Sequence, residues 1–448
     1  MTPVYIIRDF SFNYPNSNYK IGFSGQLVIN RGDHILLQGI SGSGKSTLLL
    51  ALKGIIPHVI NGIVSGEIFY NGLSISSLNE QDLLTIGYLQ QNPDSQLVCH
   101  SVFAELAFGL ENLSLSKLEI ETRINTIATD FQICHLLNRN VHQLSGGEKQ
   151  KINLIAILLM QPEVLLLDEP TAFLDPESAM ELMVVLKKYT TNMTVIIVEH
   201  NLCYLQPIVN RVIRIDEDGS IGEPDINTVN WQPQLFVSSR QRLNNPPEVL
   251  TLKNLHFAYQ SEKPLLKDIN LTVRQGNIIA IHGKNGSGKS SLLKLIAKII
   301  PKHSSIYWQQ EDIAKLNTKQ YWQHISLLWQ NPESHFIFNS VSEEINHQQD
   351  KLVKFNLLPQ AKNNPFNLSE GQKRRLSLAI TLNKSTQLFL LDEPSFGQDE
   401  TNKIILINTI QQLAQSHGTF IIITHDLAFS NAVADHVYTL KEGQLWVN

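Results

Sequence analysis

Cysteine is scarce in this chain of 448 residues. The three cysteines, Cys99, Cys134 and Cys203, lie far apart, and none has the short spacing to another that zinc or iron–sulfur sites use. We therefore expect reduced, mostly buried thiols rather than a disulfide framework or a metal cluster.

Long apolar runs and basic runs are also missing. Apolar stretches such as 164–167 fall far below the roughly 18 residues that predict a membrane span, and the N-terminus lacks the pattern of a signal peptide. The formal net charge is -5, and no long basic run indicates a nucleic-acid partner. We interpret the small cluster 373–375 (Lys-Arg-Arg) as the polar face of a helix. A soluble chain that reaches a membrane only through a partner is expected.

The chain does contain two copies of a glycine-rich loop, at 39–46 and 283–290. Each has the pattern Gly-x4-Gly-Lys-Ser and lies between a short apolar strand and a predicted helix. Glycines let the backbone N–H groups surround phosphates, the lysine adds a positive charge, and the serine hydroxyl can hold Mg²⁺. Two loops therefore predict two nucleotide sites.

An acidic pair closes an apolar strand downstream of each loop, Asp168-Glu169 in the first copy and Asp392-Glu393 in the second. The aspartate can bind Mg²⁺ through water, and the glutamate can polarise the attacking water as general base. Strands that alternate with helices predict an α/β fold with a mostly parallel sheet, whose functional groups gather at the carboxyl edge. Because both glutamates are present, we expect two sites competent for hydrolysis.

The repeat also predicts the domain limits. We expect a first domain at 1–217, a linker rich in turn residues at 218–247, and a second domain at 248–448. The copies differ in length in the middle, because 54 residues separate Gln91 from Ser145 but only 39 separate Gln330 from Ser369.

A third repeated segment carries a family resemblance. The sequences Leu-Ser-Gly-Gly-Glu-Lys-Gln at 144–150 and Leu-Ser-Glu-Gly-Gln-Lys-Arg at 368–374 resemble the signature motif of ABC ATPases. The resemblance implies two tandem P-loop NTPase domains, each with an inserted helical subdomain. It also implies that each signature serine contacts the γ-phosphate bound by the opposite half, so that Lys45 faces Ser369 and Lys289 faces Ser145.

The resemblance and the motifs together assign the candidate site residues, with ATP and Mg²⁺ as ligands. The expected catalytic residues are Glu169, Glu393 and the switch histidines His200 and His425. The expected metal-binding residues are Ser46, Gln91, Asp168, Ser290, Gln330 and Asp392. The expected nucleotide-binding residues are Gly39, Ser41, Gly42, Gly44, Lys45, Ser46, Thr47, Tyr14, Gly283, Asn285, Gly286, Gly288, Lys289, Ser290, Ser291, Tyr259, Ser145, Gly147, Ser369, Gly371, Asp175 and Asp399.

Two residues depart from the usual signature. Glu370 replaces its first glycine, and Glu148 replaces its final glutamine. A carboxylate near a triphosphate repels it unless the side chain points away.

The segments that follow Gln91 and Gln330 resemble those of energy-coupling factor (ECF) ATPases. The likeness covers 91–96 and 330–335 and continues through 102–112 in the first copy. It implies a peripheral subunit at the cytoplasmic face of the cell membrane, which energises import of a vitamin, a vitamin precursor or a metal ion. The implied partners are a transmembrane scaffold (T-type) protein and a substrate-binding membrane protein. The shorter second subdomain indicates an asymmetric membrane partner.

Two alternatives stay open. Fused ATPases of sugar importers share the two-domain plan, although they generally carry one impaired site. A soluble ABC protein that acts on the ribosome also has two fused domains, although it normally carries a long, charged helical linker.

Overall fold

The computed structural model describes residues 2–15, 20–40, 42–216, 218–232, 245–259, 264–300, 305–383 and 385–447. The chain forms two compact units, Met1–Pro233 and Gln234–Asn448. The stretch 233–244, which covers much of the predicted linker, lies outside the described residues. The predicted domain limits therefore stay predictions.

The first unit contains strands and helices in alternation. Its strands are β1 (Pro3–Asn13), β2 (Lys20–Gly22), β3 (Gln26–Asn30), β4 (His34–Gly39), β5 (Ile63–Tyr70), β6 (Leu73–Ser74), β7 (Ile86–Leu89), β8 (Val164–Asp168), β9 (Thr194–Val198), β10 (Arg211–Ile215) and β11 (Ile221–Gly222). Its α-helices are α1 (Lys45–Leu52), α2 (Ile55–His58), α3 (Glu80–Leu84), α4 (Val102–Asn112), α5 (Lys117–Asp130), α6 (Gly146–Leu159) and α7 (Pro176–Tyr189).

The second unit repeats the plan with shorter central helices. Its strands are β12 (Glu248–Phe257), β13 (Leu266–Arg274), β14 (Ile278–His282), β15 (Ile306–Trp308), β16 (Glu311–Asp312), β17 (Ile325–Leu328), β18 (Leu388–Asp392), β19 (Thr419–Ile423), β20 (His436–Lys441) and β21 (Gln444–Val447). Its α-helices are α8 (Lys289–Ile296), α9 (Thr318–Tyr321), α10 (Val341–Glu344), α11 (Gln349–Lys354), α12 (Glu370–Thr381), α13 (Glu400–Gln415) and α14 (Leu427–Val433).

A six-stranded sheet lies at the centre of each unit. The strand order is β11-β10-β4-β9-β8-β7 in the first unit and β17-β18-β19-β14-β20-β21 in the second. All pairs are parallel except the edge pairs β10–β11 and β20–β21. Every residue of β8 and β18 is buried, as expected for strands covered on both faces. The predicted α/β fold with a mostly parallel sheet is confirmed.

Each unit also has a second, antiparallel sheet that the motifs did not predict. In the first unit β1 pairs with β2, β3 and β5, and in the second β12 pairs with β13 and β15. Its inward side chains, such as Phe10 and Phe12, pack in one core with residues of the parallel sheet and α1. This layer carries Tyr14 just after the end of β1.

The helical subdomains of the two units differ in size. The first contains α4 and α5, with 11 and 14 residues, whereas α10 and α11 of the second have 4 and 6. The loop that precedes α4 in the first unit, and α10 in the second, is held by the same pair of hydrogen bonds. The buried carboxylate of Glu105 accepts hydrogen bonds from the N–H groups of Val98 and Cys99, and Glu344 does the same for Ile337 and Phe338.

The structure corrects two expectations. Lys373, Arg374 and Arg375 are buried, at most 8% exposed, and so do not form a polar helix face. Cys134 is exposed, while Cys99 and Cys203 are half-buried, so the three cysteines form no disulfide but are not mostly buried. Among the described residues, no helix combines the length and apolar character needed to cross a membrane.

Candidate functional site

The phosphate loops connect β4 to α1 and β14 to α8 at the carboxyl edge of each parallel sheet. Lys45 Nζ donates to the carbonyl oxygens of Gly39 and Ile40, both at 2.8 Å, and Lys289 Nζ donates to those of Gly283 and Lys284 at 2.6 and 3.0 Å. Each loop therefore holds its own lysine, and this fixes the positive charge at the loop backbone.

Glycine is required at specific loop positions. Gly44 has φ 93°, and a Cβ there would lie 1.9 Å from Ile21 Cγ2. Gly42 has φ 88°, yet a Cβ there would meet nothing within 4 Å, because it faces open space. That open cradle fits a phosphate group. The predicted Ser41 lies outside the described residues.

Ser43 and Ser287 are loop residues that our sequence analysis missed. Their hydroxyl oxygens are buried and have no hydrogen-bond partner in the described part of the chain. Buried polar atoms without partners usually indicate a missing ligand or water. The only signal in the sequence is that both fill the variable position between the two last glycines of the loop.

The residues that would hold Mg²⁺ lie together at the start of α1 and the end of β8. Ser46 Oγ donates to Asp168 Oδ1 at 3.1 Å. Burial and the neighbouring Glu169 raise the pKa of Asp168 to about 7. In the second unit Ser290 hydrogen-bonds to Asp392, whose pKa burial also raises. Hydroxyl and carboxylate oxygens are the hard ligands that Mg²⁺ prefers, so the residues fit the ion.

Each predicted catalytic glutamate lies beside its switch histidine. Glu169 Oε1 is 3.4 Å from His200 Nε2, and Glu393 Oε1 is 3.5 Å from His425 Nε2. Both glutamates have φ 50°, a left-handed conformation that is strained for a side chain with a Cβ. Strained residues of this kind cluster at active sites, where the surrounding structure holds them in place.

The electrostatics of the two glutamates differ. Burial favours the neutral form of Glu169, but hydrogen bonds and charge from His200, together with Gln91, bring its pKa below the ordinary value. Burial and the nearby Asp392 raise the pKa of Glu393 to about 8. The predicted Gln91 therefore lies beside Glu169, whereas Gln330 is exposed.

The two tyrosines predicted to bind the nucleotide, Tyr14 and Tyr259, are held in the same way. The hydroxyl of Tyr14 lies 3.1 Å from Thr47 Oγ1, and that of Tyr259 lies 3.1 Å from Ser291 Oγ. Each ring also makes an edge contact with a phenylalanine two residues earlier in the chain. The structure thus places both tyrosines next to the helices that start at the phosphate loops, and their role in nucleotide binding stays a prediction.

The signature serines are helix N-caps. Ser145 and Ser369 cap α6 and α12 with complete capping boxes, in which Glu148 and Gln372 accept from the serine N–H at 2.8 and 3.0 Å. Glu148 therefore accepts the hydrogen bond from the N-cap N–H that Gln372 accepts in the second unit. Glu370 lies 3.2 Å from Lys373 Nζ, which neutralises it.

Asp175 and Asp399 are also N-caps, of α7 and α13. Each accepts from the backbone N–H three residues later, at 3.0 and 2.8 Å. A structural role for these two carboxylates is therefore shown. Their expected contribution to a nucleotide site, and that of Ser145, Gly147, Ser369 and Gly371, stays a prediction.

Comparison with known proteins supports this assignment at the level of the family. The family model described as ABC transporter matches residues 25–172 and 266–396. A "Putative HMP/thiamine import ATP-binding protein YkoD" of Bacillus subtilis is 31% identical over 97% of this chain and 89% of its own length. A putative ABC transporter ATP-binding protein of Sulfurisphaera tokodaii is 35% identical over 98% of this chain and 96% of its own length.

Solved structures show the same fold. The archaeal ribosome recycling factor aABCE1, in complex with the stalk protein aP1, superposes with a TM-score of 0.65 at 16% identity, over 98% of this chain and 89% of that one. An RNase-L Inhibitor gives a TM-score of 0.64 at 18% identity, over 97% of this chain and 89% of that one. With one family match in each unit and relatives above 30% identity along almost its whole length, the chain belongs to the ABC transporter ATP-binding proteins with two fused nucleotide-binding domains.

Proposed function

We propose that this ABC ATPase is the energising subunit of an ECF-type importer for a vitamin or vitamin precursor. The observation that carries the proposal is the pairing of a glutamate with a histidine in each unit, Glu169 with His200 and Glu393 with His425, together with helical subdomains of unequal size. Two such pairs suit two hydrolysis events, and unequal subdomains suit a membrane partner that is itself asymmetric.

The proposed chemistry is the same in both units. Lys45 and Lys289 hold the β- and γ-phosphates with the loop N–H groups, and Mg²⁺, when bound, neutralises the charge that develops on the phosphate oxygens. Glu169 accepts a proton from the water that attacks the γ-phosphate, and Glu393 does so in its ionised form, which its raised pKa makes the minor form at neutral pH. His200 and His425 orient each carboxylate and contact the γ-phosphate. The products are ADP and inorganic phosphate.

We further propose that the signatures complete the sites in trans, as the family resemblance implies. The N-terminus of a helix presents unpaired N–H groups and a partial positive charge, which suit a phosphate. Ser369 then serves the site of Lys45, and Ser145 serves the site of Lys289.

The proposed docking place for the scaffold protein is a groove between α4 and α5 of the first unit. It has a volume of about 310 Å³, and its apolar lining comes from Phe103, Ala107, Leu115 and Ile120. The charged residues Glu111, Lys117 and Glu121 also line it. An apolar floor with charged groups suits a short amphipathic helix from a scaffold protein at the cytoplasmic face of the membrane.

The proposed cargo follows from the relative described as an HMP/thiamine import protein. Uptake of labelled HMP and of labelled thiamine in cells with and without this gene tests it. We expect uptake to be lost without the gene, and to return with the wild-type chain but not with a Glu169→Gln/Glu393→Gln double variant. Labelled sugar, cobalt and nickel serve as comparison cargoes.

A different outcome would select an alternative. Unchanged uptake of HMP and thiamine, with loss of sugar uptake, would favour the sugar-importer interpretation. Unchanged uptake of every cargo, with the chain sedimenting with ribosomes rather than membranes, would favour the ribosomal one.

A further inference from the structure

Arg374 is a buried arginine that binds four backbone carbonyl groups of the second unit. It is 1% exposed and lies in the first half of the signature helix α12. Its Nη1 donates to the carbonyl oxygens of Trp329 and Gln330 at 2.6 and 3.2 Å. Its Nη2 donates to that of Asp392 at 2.6 Å and to that of Glu393. One cation therefore connects the signature helix, the segment of Gln330 and the acidic end of β18.

These bonds are strong for physical reasons. A hydrogen bond from a charged donor is roughly twice as strong as a neutral one, and the planar guanidinium presents its donors in a fixed fork. Burial lowers the pKa of Arg374 to about 10, against the attraction of Asp392, Glu393 and Glu370, so the group stays charged at neutral pH. A buried cation without these carbonyl groups would be strongly destabilising.

The bond to Glu393 holds a strained residue. Glu393 has φ 50°, and its N–H donates to the carbonyl oxygen of Ile423 at 2.8 Å. The carbonyl oxygen of Glu393 accepts from the N–H of Phe396 at 3.2 Å and, in addition, from the charged Arg374, so both polar groups of the Glu393 backbone are fixed. The direction in which its side chain leaves the backbone is fixed with them.

The first unit has Gln150 at this position. Gln150 is fully buried, yet neither its amide oxygen nor its amide nitrogen has a hydrogen-bond partner in the described part of the chain. Glu169 has the same φ of 50° and the same N–H bond, to Val198 at 2.8 Å, and its carbonyl oxygen accepts from the N–H of Ala172 at 3.2 Å. Gln150 adds no further bond to that carbonyl oxygen.

The position before Gln150 and Arg374 in the helix is alike in the two units. The preceding lysine makes the same ion pair in both units, Lys149 with Asp94 at 2.6 Å and Lys373 with Glu333 at 2.5 Å. The lysine therefore attaches the helix to the segment after Gln91 or Gln330 in both units, whereas the four bonds of Arg374 have no counterpart at Gln150.

We propose that Arg374 is a positioning residue of the second ATP site, which holds the backbone from which the Glu393 and Gln330 side chains project. The first site has no counterpart, so the two sites are unequal. The inference rests on the proposed roles of Glu393 and Gln330. Arg374 acts on turnover through those residues, because the hydrogen bonds of its Nη1 and Nη2 atoms all go to backbone carbonyl groups.

The test compares variants of the purified full chain in steady-state ATP turnover. Arg374→Gln installs the residue of the first unit, and we expect kcat to fall by at least about tenfold, because small displacements of a catalytic group have large effects on rate. The KM for ATP and the rise in melting temperature with ATP should stay within about twofold of the wild type. Arg374→Lys keeps one charged donor in place of the fork and should give an intermediate kcat.

Lys351→Gln is the matched control. Lys351 Nζ donates to the carbonyl oxygen of Ala379 at 2.7 Å, near the other end of the same helix. This variant removes a similar bond between a cation and a carbonyl group, and its kcat should stay within about twofold of the wild type.

Each other outcome overturns the inference. An unchanged kcat in Arg374→Gln would exclude a positioning role, and an equal fall in Lys351→Gln would indicate general destabilisation. An Arg374→Gln chain that loses turnover and stabilisation by ATP together, or that does not fold, would assign Arg374 to structure alone. Glu393→Gln is measured alongside. If its turnover is unchanged, the proposed function fails; if it falls while Arg374→Gln stays active, only this inference fails.

Discussion

His335 of the second unit occupies the position that Gln96 occupies in the first unit. The side chain of each residue accepts a hydrogen bond from a backbone N–H group. Gln96 Oε1 accepts from the N–H of Gln90 at 2.8 Å, and His335 Nε2 accepts from that of Trp329 at 3.0 Å. Acceptance requires a neutral imidazole. Burial and the positive charge of Arg374 lower the pKa of His335 to about 4.

The stability of the second unit should therefore depend on pH. Between the ordinary histidine pKa of about 6.5 and the lowered value near 4, the unfolded chain binds a proton that the folded chain does not. The stability that the neutral His335 contributes is fully present above that pH interval and is lost as the pH falls through it. We expect the free energy of unfolding to fall by about 2 kcal/mol from pH 7 to pH 5 on this account. Urea unfolding followed by tryptophan fluorescence measures it, since four of the five tryptophans lie in 308–446.

The control is His335→Gln, which introduces the glutamine that the first unit has at the equivalent position, Gln96. It should keep most of the stability at pH 7 and lose less on acidification than the wild type. Equal losses in the two proteins would contradict the assignment to His335.

At the scale of the helix, Glu148 replaces the usual glutamine of the signature motif and still completes the helix cap. Its Oε2 atom accepts from both the N–H and the Oγ of Ser145, at 2.8 and 2.9 Å. The carboxylate thus stabilises the start of α6, where a negative charge is favourable.

The capping box predicts an ordered series of stabilities. Glu148→Ala should destabilise the first unit by about 1 kcal/mol, because the Ser145 N–H loses its partner. Glu148→Gln should cost much less, since Gln372 forms the same box in the second unit. Chemical unfolding of the full chain measures both, and equal losses in the two variants would show that the cap contributes little.

The helices α4 and α5 offer a test of the proposed docking groove. Leu115 lines the groove, whereas Leu118 is 75% exposed and does not. We expect Leu115→Glu to abolish membrane association and uptake in cells while the purified chain keeps its ATP turnover. Leu118→Glu is the control and should retain both. Membrane flotation and uptake assays check this, and loss of function in both variants, or in neither, would contradict the placement.

At the scale of the whole molecule, the duplication predicts that both sites work. We expect Glu169→Gln and Glu393→Gln each to lower ATP turnover by roughly 10²-fold, because a general base contributes about that much. Both variants should still be stabilised against heat by ATP, since the phosphate loops are unchanged. Phosphate release measures turnover, and full activity in either variant would show that its site does not contribute.

Local chemistry explains what the sequence could predict. A phosphate loop needs glycines at positions such as 42 and 44, then a lysine and a serine, all within eight residues. The buried strand β8 and its terminal acidic pair are local in the same sense. The family, the α/β fold and the candidate residues of both ATP sites could therefore be predicted without coordinates.

Only the tertiary structure decided what depends on contacts between distant segments. Lys373, Arg374 and Arg375 are charged and were expected on a helix surface, but the fold buries them. Arg374 reaches carbonyl groups 44 and 45 residues before it and 18 and 19 residues after it. No local pattern encodes such a bond, because a charged residue stays buried only where the fold brings compensating groups to it. The sequence alone thus determined the family, the fold and two similar sets of candidate site residues, and only the packing decided that the backbones of Glu169 and Glu393 are held differently.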